Sequence, residues 1–64
     1  METTMDKLLN QSQVAELLNM SHAWLEMCRF KRTGIPYIKI DKSVRYRTSE
    51  ITRWLEMNTQ HISN

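Results

Sequence analysis

Cysteine, glycine and proline occur once each in this chain of 64 residues, and no long apolar run is present. Each shortage closes off a class of protein. With Cys28 alone there is no internal disulfide, which points to a reducing compartment. Cys28 itself is read as a small buried apolar residue rather than a reactive thiol or metal ligand. His22 and His61 lie far apart without neighbouring cysteines, so the spacing is not that of a metal site, and no metal or cofactor is expected. No stretch approaches the ~20 apolar residues of a membrane helix, and the polar residues 1–6 are not a signal peptide. The expectation is a cytoplasmic protein with no membrane partner. There is also no glycine-rich phosphate loop and no nucleophile with a plausible base, and Glu16, Glu26 and Glu50 fall on separate segments, so catalysis is not expected.

A chain of this size buries only about 60% of its unfolded surface and makes one domain with a thin stability margin. What it does have is an uneven distribution of charge. The net charge of +2 divides into −3 over residues 1–28 and +6 over residues 29–53, where eight of the nine Lys and Arg fall. A positive field on one part of the molecule is what phosphate binding needs; the competing explanation is an ordinary basic solvated face.

The apolar spacing predicts two short helices in succession. Asn10 is a suitable N-cap for a helix over residues 11–18, with Gln13 placed for a capping box and Leu9 and Val14 as a hydrophobic staple. Val14, Leu17 and Leu18 make its inner face. Asn19 ends it in the left-handed conformation. Ser21 caps a second helix ending at Lys31-Arg32, with Leu25 and Cys28 inward, joined by the stem of Arg29 or by Phe30. Thr33-Gly34-Ile35-Pro36 stops the helical pattern.

The period then changes from 3.6 to 2. Tyr37-Ile38-Lys39-Ile40 and Val44-Arg45-Tyr46-Arg47 alternate around Asp41-Lys42-Ser43. A three-residue loop pairs Ile40 with Val44 and Ile38 with Tyr46 on an apolar underside. It leaves Tyr37, Lys39, Arg45 and Arg47 on a basic outer side. A third helix starts from a cap at Thr48 or Ser49, with Ile51, Trp54 and Leu55 inward. Residues 1–7 are expected to be a flexible arm, residues 8–57 the domain and residues 58–64 a polar tail. Met20 and Met57 are assigned to the core, Met5 and Met27 to the surface. Trp24 has two readings, a core edge or an exposed aromatic that, with Met27, docks a partner.

Helix–turn–helix, wing, helix is the order of a small winged-helix domain, mainly α with a β-hairpin. The chain resembles the excisionase-like, MerR-related DNA-binding domains of phages and mobile elements. The resemblance runs over residues 8–56, through Val14-Ala15-Glu16-Leu17-Leu18, Met20-Ser21, Thr33-Gly34-Ile35-Pro36 and Val44-Arg45-Tyr46-Arg47-Thr48-Ser49-Glu50-Ile51. It implies double-stranded DNA as partner, with the second helix in the major groove and the wing on the flanking backbone. Carried onto this sequence, the recognition helix offers Ser21, His22, Ala23, Glu26, Met27 and Arg29. The flank and wing offer Lys31, Arg32, Lys39, Lys42, Ser43, Arg45 and Arg47. The outer face of the second helix has no cation before Arg29, which leaves Glu26 to accept from a cytosine amino group and Ala23 or Met27 to touch a thymine methyl. The implied role is an excisionase (a recombination directionality factor) acting beside an integrase, with cooperative self-association on DNA, or a small transcription regulator. A protein of another class, an accessory subunit of a replication, recombination or packaging enzyme, is compatible with the same residues.

Overall fold

The computed structural model describes residues 6–60. Along them run β1 (Leu8–Leu9), α1 (Gln11–Leu18), α2 (His22–Lys31), β2 (Ile38–Ile40), β3 (Ser43–Arg47) and α3 (Thr48–Met57). Three helices meet a three-stranded antiparallel sheet of order β1-β3-β2, so the architecture is mixed α and β, with one strand more than the expected hairpin. No helix among the described residues is long and apolar enough to cross a membrane.

Local chemistry explains where the first two helices begin and end. The Asn10 side chain accepts from the Gln13 amide at 2.8 Å while the Gln13 side chain accepts from the Asn10 amide at 2.9 Å, completing the capping box. Ser21 Oγ accepts from the Trp24 amide at 3.0 Å and opens α2. Both helices close in Schellman motifs. In α1, Met20 N donates to Ala15 O and Asn19 N to Glu16 O, with Asn19 at φ 56°. In α2, Thr33 N donates to Cys28 O and Arg32 N to Arg29 O, with Arg32 at φ 59°. The left-handed turn thus falls on Arg32, two residues before the glycine. Gly34 has a separate reason to be glycine: at φ 78° a Cβ would come within 3.0 Å of the Cys28 side chain.

The start of α3 corrects the expected cap. Arg47 holds the N-cap position and no side chain bonds the first turn's amides. Thr48 N instead donates to Lys7 O at 3.1 Å, and Ser49 Oγ donates to Asp6 at 2.7 Å. The segment just before β1 therefore closes the helix. Of the arm expected over residues 1–7, Asp6 and Lys7 are bonded in this way, and the rest, Met5 included, lies outside the described residues. At the other end, Asn58 Nδ2 and Thr59 Oγ1 donate to Trp54 O and Leu55 O, so the first residues of the expected tail finish α3; residues 61–64 lie outside the described residues.

The register of the hairpin is also corrected. Ile38 stands opposite Arg45, Lys39 opposite Val44 and Ile40 opposite Ser43, leaving a two-residue loop, Asp41-Lys42, with Asp41 at φ 55°. Residues opposite each other share a face. Ile38 and Ile40 therefore move to the outer face with Arg45 and, across the β1 ladder, with Leu8 and Arg47. Lys39 moves to the side of Val44 and Tyr46. Two features favour this register. Aspartate tolerates the left-handed turn, and Tyr37 packs against Tyr46 with ring centroids 6.3 Å apart, occupying the inner position that the longer loop would give to Ile38.

The core gathers one or two side chains from most elements: Val14 and Ala15 of α1, Leu25 of α2, Ile35 of the linker, Tyr46 of β3 and Ile51 of α3. Leu9, Leu18, Trp24, Val44 and Trp54 pack around it. Several expected core residues lie outside. Leu17 is 60% exposed because Val14, Leu18 and Ala15 already span the inward arc of α1. Met20, Leu55 and Met57 are also exposed, and Phe30 does not join Leu25. Leu17 and Leu55 line an open groove between α1 and α3.

Candidate nucleic-acid interface

The α1–α2 turn is short, Asn19-Met20-Ser21, and α2 leaves it with His22, Ala23, Glu26 and Met27 exposed. Ser21, expected among the contacts, is engaged as the cap. Two of the outward residues are held from the side. Gln11 Nε2 donates to Glu26 at 3.1 Å and lies 3.0 Å from His22 Nδ1, which accepts when the ring proton is on Nε2. One amide thus ties both polar side chains toward the start of α1. Trp24 is half-buried, its ring tilted 59° against Trp54 at 5.7 Å between centroids, so it forms the edge of the core.

The basic residues of the expected interface differ in their settings. Arg29 is half-buried: its Nη1 donates to the Tyr46 hydroxyl at 2.7 Å, and its guanidinium carbon stands 5.8 Å from the centre of the Tyr37 ring. This contact seats the C-terminal half of α2 on the inner side of the hairpin. Lys31 and Arg32 leave the end of α2 exposed, and Lys42 and Ser43 stand exposed at the hairpin tip. Arg45 and Arg47 share the outer sheet face. Arg45 Nη1 donates to Val44 O at 2.8 Å, and Arg47 Nε lies 4.0 Å from Asp6. Asp6–Arg47 is the only ion pair among the described residues. Among the described residues, the other exposed cations have no carboxylate within salt-bridge reach, which is the electrostatic condition for meeting phosphates.

The structure thus brings α2 and the hairpin together but separates Lys39 from Arg45 and Arg47. Two residues that matter to this surface were not singled out from the sequence as contacts. Gln11 organises the flank of α2, and nothing in its type or position signals that role. Phe30, 85% exposed, continues the line of Ala23 and Met27, and its helical spacing from them was a readable signal. Chemically, the surface offers charge and apolar contact and few free hydrogen-bond donors to base edges. No family model, no curated protein and no solved structure matches this chain.

Proposed function

We propose that this chain is a non-enzymatic double-stranded DNA-binding protein in which α1 and α2 form a helix–turn–helix and β2–β3 a wing, making a small winged-helix domain. One observation carries the reading: the Arg29–Tyr46 bond ties α2 to the hairpin, while among the described residues the exposed cations around both are almost free of carboxylate partners. The helix then enters the major groove and Lys31, Arg32, Lys39, Lys42, Arg45 and Arg47 meet phosphates, fixing register without reading sequence. The role that fits a single small domain, together with the resemblance to excisionase-like domains, is an excision factor or small transcription regulator of a phage or mobile element. One module gives modest affinity, so neighbouring copies or an integrase would supply the rest.

The second reading is an accessory subunit that docks a larger enzyme through α2. It is favoured by Met27 and Phe30, 51% and 85% exposed on that helix. Fluorescence anisotropy with duplexes tiled from the chain's own upstream region, competed with random duplex and single strand, separates the two. A preference of ~1000-fold for one duplex establishes specific binding. Weak and indiscriminate binding transfers the function to the partner-docking reading.

A further inference from the structure

Ala23, Met27 and Phe30 follow one another at spacings of four and three on α2, which places them within about 60° of arc along its outward side. All three are exposed, and none carries a hydrogen-bonding group. On one flank Glu26 is drawn toward α1 by Gln11; on the other stands Lys31. The line that a groove would meet first is therefore apolar, with Lys31 and Arg32 at its C-terminal end.

Resting on the DNA-binding reading above, we infer that this line is a thymine-methyl reader: Ala23, Met27 and Phe30 select A·T-rich sites by packing on the C5-methyl groups of thymine in the major groove. Among natural base edges there, the thymine methyl alone is apolar; the others present donors and acceptors that this stripe leaves unpaired. An α-helix with its side chains fits the ~12 Å width of the groove. The net charge of +6 over residues 29–53 favours a polyanion as the occupant. A partner protein with a plain apolar face would gain nothing from that charge. Arg-to-guanine hydrogen bonding, the commonest specific contact, has no residue on this line.

The test is a chemical edit of the DNA. Anisotropy compares an alternating A·T duplex with the same duplex carrying deoxyuridine for every thymine, and a G·C duplex with its 5-methylcytosine form. The protein is expected to lose about fourfold in affinity for each contacted methyl removed, and to gain on 5-methylcytosine. Phe30→Ser and Met27→Ser, at exposed positions, narrow the thymine-to-uracil ratio toward one, with circular dichroism checking that the fold persists. Equal, salt-sensitive affinity for the thymine and uracil duplexes overturns methyl reading and leaves DNA binding standing. Absence of binding to every duplex overturns both and assigns the stripe to a protein partner.

Discussion

The guanidinium of Arg29 and the hydroxyl of Tyr46 are joined at 2.7 Å, linking the last turn of the domain's second helix to its central strand. Tyr46 is only 1% exposed, so this bond satisfies a polar atom in the core while Arg29 also stacks over Tyr37. Arg29 was expected among the recognition-helix contacts with DNA. Its first task is to hold that helix and the hairpin in one frame.

Breaking that link should lower stability before it changes binding. Arg29→Met leaves the Tyr46 hydroxyl buried without a partner and should cost about 1–3 kcal/mol. Tyr46→Phe removes the acceptor instead and should cost about 1–2 kcal/mol, since Arg29 can turn toward solvent. Thermal melts should show both, with shifts of about 4–8 °C per kcal/mol in a domain this small.

The end of the second helix offers two glycine swaps of opposite sign. Arg32→Gly relieves a left-handed residue and should stabilise by about 1 kcal/mol. Gly34→Ala forces a Cβ against Cys28 at a positive φ and should destabilise by about 1–2 kcal/mol. Cys28→Ala should rescue the second only in part, because the Cys28 Cβ is as close as its Sγ. Denaturant titration reads all three.

Hairpin register can be checked by two substitutions. With Ile40 on the outer face, Ile40→Thr should change stability by no more than about 0.5 kcal/mol. Val44→Ala, on the inner face, should cost about 1–2 kcal/mol. A cost for Ile40→Thr as large as that for Val44→Ala would restore the three-residue loop, in which both side chains face inward.

The limits of the first two helices were legible in the sequence because their signals are local. Asn10, Gln13, Asn19 and Ser21 act on amides and carbonyls within five residues, so spacing alone locates them. The sheet was less legible because its determinants are distant. Leu8 and Leu9 are too short a segment to announce a strand and become one only beside Arg47 and Tyr46. The apolar alternation of Ile38, Ile40, Val44 and Tyr46 favoured a loop one residue too long, since it could not show that Tyr37 fills the inner place. The candidate surface divides in the same way. The basic segment could be seen in the order of residues, whereas the Gln11 tie on His22 and Glu26 and the burial of Arg29 depend on tertiary packing.

Asp6 should act as a brake on DNA binding. It lies 4.0 Å from Arg47, on a half-exposed pair worth little to stability. Asp6→Asn is expected to raise DNA affinity about twofold and steepen its salt dependence, with stability changed by no more than about 0.5 kcal/mol. Anisotropy at two salt concentrations, paired with thermal melts, tests both halves.

The most direct test of DNA binding through helix and wing is the salt dependence of duplex affinity for the native chain and for Arg45→Ala/Arg47→Ala. Binding to double-stranded DNA should weaken linearly on a log–log plot, and the double variant should bind more weakly with a slope shallower by about two. An unchanged slope, or no duplex binding by the native chain, would contradict it.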